Sequence, residues 1–446
     1  MITVKRQRYI ENILSLVIIL LLLEGGLRKW LLPANIGNLF LVVRDPLIML
    51  IVIQGVRYRL INSRLIGLLV LTSIFAFFTT LIWGHHNLFV SIYGIRIYLL
   101  YFPAMYVIGN TIDFHYISKL GKYFLYIFIP IVFLTIVQFL SPANSFVNKR
   151  LGIAFDSDVS AGELQMKASG IFTNVSGLTD YYIIVLAFIF FFLFNAEARK
   201  VISIKYLYLC IIVYIISIPV SVSRTHLFFS VLSIIFYFFL INRDNLYKII
   251  FSCMVVWGSY NILLNVPSFN KFVTVFTDRF NNANRQEGGA VSSAINRTFG
   301  YAFNVLDTDL PLWGYGEGYC TNVGIKTIHG VVGVASMSDK VLVKRLEDSE
   351  MEWSRIITER GILMGLVLIF IRIAFGIEFL KKSRKLLKRR YVMAWIFLPP
   401  AFVFITTLPL KVPTNLTFMF LAGALVIAAF REPAFTSNSR IITGKL

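Results

Sequence analysis

Charge is scarce in this sequence. Only 15% of its 446 residues are Asp, Glu, Lys or Arg, against about 25% in soluble proteins. With 57% hydrophobic residues and a mean hydropathy of +0.74, that scarcity excludes a soluble globular enzyme and a disordered chain. Cysteine is sparser still. Cys210, Cys253 and Cys320 stand far apart with no C-x-x-C or zinc spacing, so neither a disulfide framework nor a metal cage is expected. Acids number 23 against 43 Lys and Arg, a net charge of +20. In a membrane chain such an excess reads first as topology, because Lys and Arg concentrate in cytoplasmic loops. No nucleic-acid partner is expected. The apolar/polar alternation of a membrane barrel is missing, and no internal repeat stands out.

Long apolar runs, rich in the chain's 41 Phe, take the place of charge. Twelve can be counted, at roughly 10–31, 38–56, 65–84, 88–109, 122–141, 177–195, 203–221, 224–242, 247–266, 356–380, 391–410 and 414–430. Each is near the length a helix needs to cross about 30 Å of hydrocarbon. Lys5, Arg6 and Arg8 precede the first run and no small-residue cleavage site follows it, so a retained first span is expected.

Basic residues fall mainly in alternate loops: the N-terminus, Arg57/Arg59/Arg64, Lys119/Lys122, Arg199/Lys200/Lys205, Arg243/Lys248, the run at 381–390 and the C-terminal tail. The expected fold is therefore an all-α integral membrane protein of about twelve spans with both termini cytoplasmic. Residues 1–266 would hold spans one to nine, with a smaller outer loop at 142–176. Residues 267–355 would form a large periplasmic loop carrying short helices and catalytic groups. Residues 356–446 would hold spans ten to twelve and a cytoplasmic tail.

An ionisable residue inside a span is a functional suspect, because it costs about 2.5–3.5 kcal/mol at a helix centre. Arg28, Lys29, Arg44, Asp45, Arg96, Asp180, Arg224, Glu359 and Arg360 cluster toward the outer ends of their spans, while Arg372 lies deeper. Such one-sided clustering suits a cationic cleft for a phosphate ester whose lipid tail stays in the bilayer. Arg is favoured there because its fork matches phosphate oxygens.

Four segments stand in a telling order: EGGLRKWLLP (24–33), ASGIFTNVSGLTDYY (168–182), SVSRTHLF (221–228), and a long loop running from NRTFGYAF (296–303) through GYGEGY (314–319) to EDSEMEWSRIITERGILMG (347–365). This order resembles the O-antigen ligase/polymerase superfamily of bacterial surface-polysaccharide enzymes. Glu350 stands nine residues before Glu359, which opens a Glu-x-Gly-x-x-x-Gly start with Gly361 and Gly365. The resemblance implies an inner-membrane glycosyltransferase whose donor is a glycan on undecaprenyl diphosphate. It would polymerise repeat units into O-antigen or exopolysaccharide; the alternative is a ligase transferring glycan to lipid A core. Ligases of the family place a His where Glu350 stands, and the Glu is more like the polymerase branch. A chain-length regulator and a flippase are the protein partners implied. A transporter or flippase is the reading from another class, against which stand the long outer loop and the lack of two related halves.

The chemistry also follows from location. Outside the cell no nucleotide sugar is available, so the donor must arrive lipid-linked and activated. Arg224 and Arg297, with Lys167 or Arg96, would stabilise the leaving diphosphate without metal or other cofactor. Glu350 would take the acceptor's proton, with Glu352 as the other candidate base in that acidic loop. Arg44, Arg28, Asn174, Glu352 and Glu359 are the remaining candidate substrate-binding residues. His329, His85–His86 and Asp307-Thr308-Asp309 are weaker candidates, and GYGEG lacks the Lys-Ser/Thr of a phosphate-binding loop and reads as a turn.

Overall fold

The structure, a computed structural model, describes residues 4–33, 37, 40, 42–149, 161, 164, 166–238, 264–287, 302, 310–330, 346 and 351–433. Among the described residues the regular elements are all helical. Apart from the short helical turns Phe146–Asn148 and Ala196–Arg199, they are α1 (Val4–Leu31), α2 (Asp45–Arg57), α3 (Arg64–Ile82), α4 (Leu88–Thr111), α5 (Phe114–Leu140), α6 (Val175–Phe194), α7 (Ile204–Val220), α8 (Arg224–Phe238), α9 (Pro267–Glu287), α10 (Asn322–His329), α11 (Glu352–Lys388), α12 (Met393–Thr406) and α13 (Pro413–Ala429).

Six of these, α1, α3, α4, α5, α6 and α11, are long and apolar enough to cross a membrane. The helices α7, α8, α12 and α13 are equally apolar but only 10–17 residues long. In the apolar run expected at 38–56 the described helix is α2, 13 residues long. The one expected at 247–266 lies almost wholly outside the described residues. Within 267–355, α9 and α10 are the described helices.

Sequence sets the helix ends. The side chains of Asn87, Asp113 and Asn174 accept the backbone N–H of Val90, Tyr116 and Gly177 at the starts of α4, α5 and α6, satisfying donors that a helix start leaves over. The centre of the bundle is α4, α6, α12 and α13, whose contacts are close because glycine sits at them. Gly109 of α4 lies against Ile427 of α13, and Gly423 of α13 against Met105 of α4. Apolar surface also faces outward: Leu71, Phe133 and Phe370 are 64%, 67% and 65% exposed. Such large apolar side chains on the outside, around a helical core, make the architecture that of an all-α membrane protein.

Candidate functional site: two buried charge clusters

α1 ends on Glu24-Gly25-Gly26 and unwinds into a π turn at Leu27–Leu31. Gly25 has no Cβ because the Ile171–Phe172 backbone occupies that space. The buried Glu24 carboxylate accepts Arg28 at 3.1 Å and Arg44 at 2.5 Å. Arg44 also donates to Thr417 Oγ1 at 2.7 Å. Next to it, Asp45 pairs with Arg96 and accepts the Tyr101 hydroxyl at 2.7 Å. The Arg96 guanidinium lies over the Tyr93 ring, 3.9 Å from its centroid. Three guanidiniums therefore meet two carboxylates, leaving one positive charge over. Lys29 is buried beside them and donates to Ser169 Oγ (3.0 Å), Gly170 O (2.7 Å) and Phe172 O (3.2 Å). It ties the end of α1 to the segment entering α6.

The second cluster sits at the start of α11. Glu352, Arg355 and Glu359 are spaced i, i+3 and i+7, which places all three on one helix face. Arg355 grips Glu352 with Nε and Nη2 (3.0 and 2.8 Å) and Glu359 with Nη1 (2.5 Å). Its Nη2 also donates to the Tyr98 hydroxyl at 2.9 Å. Arg372 pairs with Glu352, and the Leu410 N–H donates to the same carboxylate at 2.9 Å. Arg360 pairs with Glu317 and lies over the Tyr98 ring at 4.6 Å. Three Glu thus balance three Arg. The two clusters meet through α4, whose π turn at Ile97–Tyr101 follows Arg96 and contains Tyr98 and Tyr101. One extra residue in the turn re-aims these side chains, so Tyr98 reaches Arg355 and Tyr101 reaches Asp45.

The GYGEG segment is a turn. Gly314, Gly316 and Gly318 all have positive φ, a region glycine enters without steric cost. It docks on the start of α11: Tyr315 N donates to Thr358 O and Gly316 N to Glu359 O, both at 2.9 Å, and Cys320 N donates to the Glu359 carboxylate at 3.0 Å. His85, in the loop before α4, bonds the Glu317 carbonyl through Nε2 at 3.0 Å and accepts Asn87 N–H at Nδ1. Burial holds its pKa below the ordinary imidazole value, so it serves this turn as a neutral hydrogen-bonding group.

Of the residues expected from sequence, Arg28, Arg44 and Arg96 come together in the first cluster, and Glu352 and Glu359 in the second. Asn174 caps α6. Lys167 lies beside Gln138, Asn148 and Ser169 around a small void. Arg224 opens α8 directly after a turn in which Val222 has φ 49°, strained for a β-branched residue. Arg297 and Glu350 lie outside the described residues, as do Asp307 and Asp309. Glu24, Glu317, Arg355 and Tyr98 were not singled out from sequence. The 352/355/359 spacing was the available signal for Arg355; Glu24 sits in a quoted motif but finds its partner Arg44 only through the fold.

Three guanidinium nitrogens, Arg28 Nε, Arg44 Nε and Arg360 Nη1, are buried with no hydrogen-bond acceptor among the described residues. Buried donors are normally satisfied, so these positions suit an acceptor oxygen from a ligand. No protein-family profile, curated protein or solved structure matches this chain.

Proposed function

We propose that this protein is a multi-pass inner-membrane glycosyltransferase that polymerises undecaprenyl-diphosphate-linked repeat units into O-antigen or exopolysaccharide. In this reading both termini are cytoplasmic, about twelve helices span the bilayer, and residues 267–355 lie in the periplasm. One observation carries it: segments that define the sequence resemblance, remote in the chain, meet in pairs. The 24–33 segment is bonded through Lys29 to 169–172, and the 314–320 turn is bonded to Thr358 and Glu359. α4 joins the pairs through Arg96 and Tyr98.

The chemistry fits a diphosphate leaving group. The first cluster carries surplus positive charge, and both clusters hold guanidinium N–H groups ready for oxyanion acceptors. Pre-set donors of this kind stabilise charge as it develops, with no reorganisation at the moment of reaction. Arg297 and Arg224 would complete the diphosphate site. Glu350, two residues before the start of α11, would accept the proton of the incoming sugar hydroxyl. That oxygen then bonds to the anomeric carbon while the carbon–oxygen bond to the diphosphate breaks on the opposite face, inverting configuration without metal. Glu352 and Glu359, engaged by arginines, hold the site in shape and leave Glu350 as the base.

Purified protein incubated with an undecaprenyl-diphosphate-linked repeat unit tests this directly. A ladder of longer lipid-linked glycans is expected, with the new linkage inverted by NMR. A substrate returned unchanged, together with intact long polymer on carrier lipid in a deletion strain, would overturn polymerisation in favour of ligation. Repeat units trapped inside the cell would overturn it in favour of transport.

A further inference from the structure

The opposite end of the bundle holds a cavity that the proposed reaction does not use. Its volume is about 440 Å³, and Arg6, Gln7, Tyr58, Asn110, Thr111 and Arg431 line it. It forms where α1 begins, α2 and α4 finish, α5 begins and the chain leaves α13. A cavity of this size falls within the range of small-molecule sites, about 300–1,000 Å³, and is larger than one phosphate ion needs.

Its polar groups are already arranged. Arg431 Nη1 donates to Ile112 O at 3.3 Å, and Asn110 Nδ2 to Leu60 O at 2.9 Å. The acids nearby, Glu11 and Asp113, accept the Gln7 amide at 2.8 and 3.2 Å, and the Asp113 charge also acts on Arg431. Asp113 also caps α5 through Tyr116 N–H. Arg6 makes no hydrogen bond among the described residues; its guanidinium carbon lies over the Tyr58 ring, 4.3 Å from the centroid. A guanidinium attracted to a ring face keeps N–H groups for an oxyanion. Apolar side chains flank it within about a turn of helix: Val4 and Val56 are 68% and 66% exposed, and Tyr9 is 46% exposed. Two guanidiniums around a polar cavity, bordered by exposed apolar residues at a bundle end, match a phosphate that enters with acyl chains attached.

We propose that this cavity is a phosphate-recognition site, in which Arg6 and Arg431 hold the phosphate of an acidic membrane lipid headgroup or, by the same chemistry, free phosphate. It stands apart from the proposed catalysis and does not depend on it.

Full-length protein in neutral detergent tests the proposal by native mass spectrometry and thermal unfolding. The probes are phosphatidylglycerol, phosphatidylcholine and inorganic phosphate. Phosphatidylglycerol is expected to remain bound and to raise the unfolding midpoint, with phosphatidylcholine doing less. Arg6→Gln removes one lipid-facing charge, so binding should weaken about fivefold, and more in the Arg6→Gln/Arg431→Gln double variant. Arg6 is exposed and bonds no other described group, so its variant should fold. Protection by inorganic phosphate alone, with the same arginine dependence, assigns the site to the free ion. Lys381→Gln/Lys382→Gln, in the basic run of α11, is the control for general attraction of acidic lipid. Equal phosphatidylglycerol binding by wild type and Arg6→Gln, or equal losses in the control, would overturn the site.

Discussion

Glu352 and Arg372 stand 20 residues apart within α11, yet their side chains form a buried ion pair. In a straight helix, 20 residues at about 1.5 Å each would separate them by about 30 Å. The chain turns between them at Gly361, whose φ of 74° and ψ of 177° are not helical. The short arm 352–360 folds back against the long arm, and the Thr358 and Glu359 carbonyls accept the N–H groups of the 314–318 turn. The ion pair, the break and the glycine turn are one device.

Gly361→Ala should dismantle that device. A Cβ there would collide with the Leu312 carbonyl oxygen, and the backbone conformation is nearly confined to glycine. We expect a loss of about 3 kcal/mol or more, seen as a sharply lower unfolding midpoint in detergent. An unchanged midpoint would mean the break at Gly361 does not exist in the folded protein.

Glu352→Gln should act on stability. It would strand the buried Arg372 and leave the buried Arg355 paired with Glu359 alone, and breaking one side of a buried ion pair costs about 3–5 kcal/mol. Adding Arg372→Met should recover part of that loss, since the stranded charge goes with it. A stable, inactive Glu352→Gln protein would contradict this and return Glu352 to the list of bases.

The apolar helices were legible because lipid demands them: eleven of the twelve expected runs overlap a described helix, and six of those helices are long enough to cross a membrane. The charges were legible as a set for the same reason: Arg44, Arg96 and Arg372 stand out in apolar surroundings. Their pairing was not legible. Sequence proximity links Glu24 to Arg28, but Arg44, 20 residues away, meets Glu24 only through the packing of α1 against α2 and α13. Likewise nothing local told that Glu317, within an apparent turn, would pair with Arg360. Arg96 read as an open cation because its partner Asp45 lies on another helix.

Glu350→Gln and Arg297→Lys carry the enzymatic reading. If Glu350 is the base, its amide should lower polymer formation by on the order of 100-fold or more while the protein inserts and unfolds as wild type does. Arg297→Lys keeps the charge and loses the two-pronged donor, so a similarly strong loss is expected. Near-normal chain formation by either variant would remove that residue from the chemistry. The measurement is glycan ladder length and yield from purified protein, with the unfolding midpoint recorded alongside.

Glu432, just past α13, gives a pH dependence whose sign is fixed. Its carboxyl is buried and accepts Met393 N–H at 2.9 Å, and burial raises its pKa from 4.5 to about 7. The folded state therefore holds the proton more tightly than the unfolded chain. The stability this contributes is complete below the unfolded value and is lost as pH rises through about 7. Glu432→Gln resembles the protonated form at every pH, so the variant should match wild type near about pH 5 and gain on it toward about pH 8. Unfolding midpoints across that range check it. Parallel curves for the two proteins would show that Glu432 titrates alike in both states and that its burial carries no such effect.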